Sequence, residues 1–257
     1  MRDDLAQLAA LVDTIARLRA PDGCPWDRKQ THTSLRSSLL AECYEVLEAL
    51  DSGDAAGLRE ELGDLLLQIV FHTQIAAETG EFTLAEVARG INEKLVRRHP
   101  HVFGAAEAGD AEEVLHNWEE LKEQEREEGA SMLDGVSGQM PALAYSREVQ
   151  QKVARVGFDW EDDDGVIEKL EEEVRELNEA GSPQRKAEEY GDLLFTLVNI
   201  ARRQGVDAEA ALRGANRRFY RRFSRMEELC RQRGLSFSRL SFREQNGLWE
   251  EAKEAVG

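Results

Sequence analysis

The chain has 257 residues, of which 41% are apolar and 33% charged, and its 33 Lys and Arg against 51 Asp and Glu leave a formal net charge of -18. The apolar share suffices for a packed core and argues against wholesale disorder, while the acidity argues against a nucleic-acid backbone as partner. A small phosphorylated ligand stays open, because a bound cation can offset its charge.

Helical periodicity dominates from the start. Leu5, Leu8, Leu11, Val12 and Ile15 follow the 3/4 spacing of an amphipathic helix. A turn around Pro25-Trp26-Asp27 follows, and then a second stripe of Leu39, Leu40, Cys43, Val46, Leu47 and Leu50. Asp51-Ser52-Gly53-Asp54 breaks it, and Leu62, Leu65, Leu66, Ile69 and Val70 form the third. Val87, Ile91 and Leu95, then Val114, Trp118 and Leu121, continue the helical pattern. The run from Glu128 through Gly135 and Gly138 to Pro141 reads as a linker, which divides the chain into 1–130 and 136–257.

The second part repeats the first in order. Val166, Ile167, Leu170, Val174 and Leu177 precede a break at Ala180-Gly181-Ser182-Pro183; Leu193, Leu194, Leu197 and Val198 follow, then Ala211, Ala215, Phe219, Phe223 and Met226. No alternating strand pattern competes with these stripes. The expected fold is therefore all-α, as tandem duplicated helical-bundle domains.

The repeat also carries chemistry. Glu42-x-x-Glu45 and Glu61-x-x-Asp64 in the first half match Glu173-x-x-Glu176 and Glu189-x-x-Asp192 in the second. Residues three apart share a helix face, so two such helices packed together gather four carboxylates. Hard oxygen donors without His or Cys favour Mg2+, with Mn2+ as substitute, over Zn2+. Lys94 and Arg98, like Arg218 and Arg222, lie four apart and can hold phosphate oxygens. Trp118 with Lys122, and Trp249 with Lys253, add an aromatic plane and a cation at the same spacing. Metal, cations and aromatic together suit a nucleoside triphosphate. The competing reading of each element is plainer: Glu-x-x-Glu as a solvated face, Arg pairs as surface ion pairs, Trp as core. Gly63 and Gly191 interrupt strongly apolar helices at a cost of about 1 kcal/mol each, for which close helix approach is the expected compensation.

These motifs, with Gly23-Cys24-Pro25-Trp26-Asp27, Arg97-Arg98-His99-Pro100-His101-Val102-Phe103 and Val156-Gly157-Phe158-Asp159-Trp160, resemble the two-domain form of the MazG family of all-α NTP pyrophosphohydrolases over nearly the whole chain. The resemblance implies Mg-dependent hydrolysis of NTPs and dNTPs at the α–β bond, to a nucleoside monophosphate and pyrophosphate, as housecleaning of the nucleotide pool. It implies Glu173, Glu176, Glu189 and Asp192 as metal ligands of the second half, and Arg218, Arg222, Trp249 and Lys253 as its substrate contacts, with Lys169 and Arg185 as further phosphate-binding candidates. In the first half it points to Glu42, Glu45, Glu61 and Asp64, then Lys94, Arg98, Trp118 and Lys122.

The family's leading Glu-Glu-x-x-Glu survives as Glu172-Glu173-x-x-Glu176, whereas Ala41 stands at the leading position of the first half. The second half is therefore the favoured active site, with Glu172 or Glu176 orienting or deprotonating the attacking water. A homodimer is implied by the family. Cytoplasmic residence is expected from three cysteines without C-x-x-C spacing, from acids at Met1-Arg2-Asp3-Asp4 where a signal peptide needs positive charge, and from the lack of a membrane-span-length apolar run. The alternatives are a non-enzymatic acidic interaction module, or a pyrophosphohydrolase narrow for one damaged or pyrimidine nucleotide.

Overall fold

The computed structural model describes residues 2–104, 109–110, 113–114, 118 and 129–256. All of the regular elements among them are helices. The chain divides into two compact units, Met1–Arg126 and Glu127–Gly257.

In the first unit the helices are α1 (Arg2–Arg19), α2 (Arg36–Ser52), α3 (Ala55–Thr79), α4 (Leu84–Arg98) and the short α5 (Pro100–Phe103). The break between α2 and α3 is built locally. Gly53 takes φ 70°, a left-handed conformation that favours glycine, and the Asp54 side chain caps α3 by accepting from the Ala56 amide at 3.0 Å. The result is an antiparallel hairpin in which α2 and α3 pack along their length. Thr83 and Glu86 form a capping box that starts α4. The core gathers Ile15, Leu35, Val70, Phe71 and Ile75, with Leu11, Val12, Leu18, Leu67 and Leu84 packed around them.

The second unit contains α6 (Ala142–Ala154), α7 (Asp163–Glu179), α8 (Pro183–Arg203), α9 (Ala208–Arg233) and α10 (Phe242–Val256). Asp162, Ser182 and Asp207 cap α7, α8 and α9, and Pro183 opens α8 where a missing amide hydrogen costs nothing. Helices α7 and α8 form the counterpart of the α2/α3 hairpin, α6 packs on α8, and α9 packs on α10. Met226, Leu229, Cys230, Leu248 and Ala252 form the α9/α10 core, while Val166 and Val198 are buried in the α7/α8 hairpin. No helix among the described residues is long and apolar enough to cross a membrane.

The glycine expectation fails within each unit. Among the described residues, a Cβ at Gly63 or Gly191 would meet nothing within 4 Å, so close approach of a described helix does not account for either residue. Crowding is instead found at Gly165, where a Cβ would lie 2.8 Å from Cδ1 of Trp160.

Candidate metal and triphosphate site

Each hairpin brings glutamates from both of its helices to one place. In the first unit, Glu42 and Glu45 of α2 and Glu61 of α3 place carboxylate oxygens within 4.8 Å of one another. In the second, Glu173 and Glu176 of α7 and Glu189 of α8 do the same. The helical spacing read from the sequence is responsible: residues three apart on one helix face a single residue on the other. Asp64 and Asp192 follow one turn after Glu61 and Glu189 and stand outside these groups, Asp192 being exposed.

The two triads differ in burial and charge balance. Glu42 and Glu61 are half-buried and Glu45 is exposed. Burial, together with the neighbouring negative charges of Glu45, Asp64 and Glu60, raises the Glu61 carboxyl above its ordinary range. Glu173 and Glu189 are only 3% and 2% exposed. Burial also raises Glu189, and nearby Glu176 and Asp192 add to this, although the guanidinium of Arg185 pulls the other way. That guanidinium lies 2.7 Å from Glu189 Oε1, and the ammonium of Lys169 lies 2.8 Å from Glu173 Oε1 and 3.2 Å from Glu172. The Lys169 ammonium is held protonated far above its usual range by its bonds to Glu173 and Glu172. Among the described residues, no cation lies within ion-pair distance of Glu42, Glu45 or Glu61.

The second oxygens of Glu173 and Glu189 are buried without a hydrogen-bond partner among the described residues. A buried carboxylate oxygen left unpartnered is costly, and a hard divalent cation is the partner that an all-carboxylate set fits. The donor chemistry therefore suits Mg2+ or Mn2+.

The basic and aromatic residues are arranged among themselves. Arg98 lies over the ring of Trp118 at 5.1 Å, and Arg222 over that of Trp249 at 5.9 Å, so the same pairing recurs in both units. Trp249 also packs on Phe219, with centroids 5.4 Å apart, at the edge of the α9/α10 core. Its ring is half-buried structure as much as open platform. Lys253 pairs with Glu250 at 2.8 Å, while Lys94 and Arg218 are exposed on α4 and α9. Among the described residues, no ion pair joins Arg218, Arg222 or Lys253 to the second triad. Lys122 lies outside the described residues.

A feature absent from the sequence reading lies beside the second triad. Trp160, Gly165, Glu168, Lys169, Glu171, Glu172 and Arg175 line an open cavity of about 450 Å³. Its Trp160 wall is clamped from α8: Arg202 holds Asp159 at 2.6 Å, and Arg203 donates to the Trp160 carbonyl at 2.8 Å and to Asp163 at 2.7 Å. Phe158-Asp159-Trp160 marked the loop in the sequence, but its partners 43 residues away carried no local signal.

Comparison with known proteins agrees with this duplicated geometry. Residues 30–103 match the MazG nucleotide pyrophosphohydrolase domain, and residues 145–219 match phosphoribosyl-ATP pyrophosphohydrolase. The chain is 48% identical to the nucleoside triphosphate pyrophosphohydrolase/pyrophosphatase MazG of Thermotoga maritima, over 95% of this chain and 94% of that one. It is 42% identical to the nucleoside triphosphate pyrophosphohydrolase of Escherichia coli, over 96% and 97% of the two chains. It is 46% identical to the uncharacterized protein YabN of Bacillus subtilis, over 93% of this chain and 50% of that longer one. With both hairpins matched by pyrophosphohydrolase models and likeness running almost end to end, the chain belongs to the MazG family of nucleotide pyrophosphohydrolases.

Proposed function

We propose that this protein hydrolyses nucleoside triphosphates at the α–β bond, giving a nucleoside monophosphate and pyrophosphate, with Mg2+ as cofactor and housecleaning of the nucleotide pool as its task. The domains are 1–130 and 136–257, and the second carries the main active site. The observation behind the choice is the pair of buried, unpartnered glutamate oxygens on Glu173 and Glu189. A solvated acidic face, as an interaction module would have, leaves its carboxylates in water instead.

Glu173, Glu176 and Glu189 would hold the metal, with Asp192 one turn away. Mg2+, when bound, supplies charge neutralisation for the phosphate oxygens and acidifies water. Glu172, half-buried on the wall of the open cavity, orients the attacking water and accepts its proton. Lys169 and Arg185 contribute positive charge to the phosphates. Arg218, Arg222 and Lys253 stabilise the departing pyrophosphate, and Trp249 stacks on the base.

A homodimer completes the reading. Leu62, Leu66 and Ile69 on α3 and their repeat counterparts Tyr190, Leu194 and Leu197 on α8 form apolar stripes that each unit leaves exposed. A second copy of the chain is the partner that would cover them. Cytoplasmic residence fits the nucleotide substrate. The deciding assay incubates a panel of NTPs and dNTPs with Mg2+ and separates pyrophosphate from orthophosphate. Orthophosphate with a nucleoside diphosphate would reject α–β cleavage, and indifference to every triphosphate would favour the interaction module.

A further inference from the structure

The two halves differ at one pair of positions that metal ligation itself does not explain. One turn before Glu173 and one turn before Glu189 stand Lys169 and Arg185, each ion-paired to its glutamate at 2.8 and 2.7 Å. The corresponding positions of the first half are Ser38 and Gly57, which carry no charge. Each cation takes one oxygen of a buried glutamate, Oε1, and leaves Oε2 unpartnered. A divalent ion arriving at those free oxygens meets two positive charges already in place. Their side chains are 37% and 59% exposed, so both can swing outward once displaced.

We infer that Lys169 and Arg185 are built-in counter-cations of the second half, which neutralise its glutamates in the metal-free protein and hold its divalent-metal affinity below that of the first half. This rests on the metal reading proposed above. Two buried carboxylates at helix-helix contact repel each other, and i,i+4 cations relieve that repulsion without closing the site. The first triad needs no such relief because Glu45 is exposed and Glu42 and Glu61 are only half-buried. Displacement by metal frees an ammonium and a guanidinium at the rim of the ligand set, where the phosphates of a triphosphate take them over. The second half would therefore load metal best together with its substrate, since each ligand removes an obstacle to the other. The first half would take metal alone.

The test uses the full chain, titrated with Mn2+ without nucleotide, with free Mn2+ read from its paramagnetic resonance signal. Replacing Glu42, Glu45 and Glu61 by Gln leaves only the second half to bind. In that background, Lys169→Met with Arg185→Met should tighten Mn2+ binding by about tenfold. Unchanged or weaker affinity, with helical circular dichroism retained, overturns the inference. Should the double variant fail to fold, the reciprocal change decides. With Glu173, Glu176 and Glu189 replaced by Gln, Ser38→Lys should weaken the first half's Mn2+ affinity by about fivefold, and no change there overturns the inference. Absence of saturable Mn2+ binding in every one of these chains overturns the metal reading beneath it, an outcome distinct from equal and measurable affinities, which removes only the counter-cation role.

Discussion

Glu61→Gln and Glu189→Gln are the same substitution at the same point of the repeat, and the two halves predict opposite outcomes for them. Gln keeps the volume and one carbonyl oxygen but removes the charge, so the helices stay packed and only the ligand set changes. In the second half Glu189 is one of three clustered glutamates, is 2% exposed, and has an oxygen with no other partner. Losing that charge removes one of the proposed ligands and leaves the Arg185 guanidinium, 2.7 Å from Oε1, facing an uncharged amide. A loss of electrostatic stabilisation of this kind is worth about 10² to 10³ in turnover. In the first half Glu61 is half-buried beside an exposed Glu45, and Ala41 stands where the second half has Glu172, the residue proposed to orient water. If that half contributes little, Glu61→Gln should keep more than about half of the activity, since two equal and independent sites would each supply half. Initial rates of pyrophosphate release with saturating Mg2+ and a single NTP separate the cases. Equal losses in the two variants, or half the activity surviving in Glu189→Gln, would refute the assignment of turnover to the second half.

Three further outcomes follow from the packing. Arg19→Met should destabilise the first unit by about 3 kcal/mol in urea denaturation, because a side chain only 6% exposed donates to both oxygens of Glu78 at 2.8 and 2.7 Å and to the carbonyls of Asp27 and Gln30. A change under about 1 kcal/mol would show that these bonds merely replace equivalent ones to water. Leu194→Asp on the exposed α8 stripe should shift the chain from dimer to monomer in sedimentation velocity, and a wild type that is already monomeric would remove the dimer proposal. Burial, aided by neighbouring His32 whose Nδ1 lies 2.7 Å from that of His72, lowers the His72 pKa from its ordinary value. The unfolded chain therefore takes up this proton first as pH falls. Stability from neutral His72 is complete above about pH 6.5 and is lost as pH drops through the lowered folded value. Thermal melts between pH 7.5 and 5.5 should show the first unit weakening, and His72→Gln should flatten that slope; identical slopes would exclude the histidine as the cause.

The fold was legible because its signals are local. Apolar residues at 3/4 spacing, with breaks at Asp51-Ser52-Gly53-Asp54 and Ala180-Gly181-Ser182-Pro183, mark helices without reference to distant residues, and in the structure Asp54 and Ser182 cap the helices that follow. The glutamate triads were legible for a related reason: a Glu-x-x-Glu on one helix and a Glu on the next need only an antiparallel hairpin to meet. What escaped was tertiary. The sequence shows the charge of Lys169 and Arg185 but not the depth at which Glu173 and Glu189 are buried, nor that each cation is ion-paired to one of them. The sequence also did not show that an arginine lies over the ring of Trp118 and of Trp249, the consequence of how α9 and α10 pack in the case of Trp249. Gly63 and Gly191 suggested a close helix neighbour that is not found among the described residues of either unit.

That last mismatch bears on the proposed assembly. Gly63 and Gly191 each follow the first residue of an exposed apolar stripe, Leu62 and Tyr190, and each helix carries the glutamate of its triad immediately before that residue. A glycine inside a helix whose added Cβ would meet none of the described residues costs stability with no visible return. Two such glycines at matched repeat positions, each flanked by uncovered apolar residues, make the same face of α3 and α8 the place where a second copy would approach. If so, ligand geometry and assembly are coupled: a partner seated on Tyr190 and Leu194 would fix the pitch of α8 and with it the height of Glu189. The Leu194→Asp monomer should then lose Mn2+ affinity as well as its partner, although Leu194 is not one of the three clustered glutamates. A monomer that binds Mn2+ as tightly as the parent would separate the two roles of that helix.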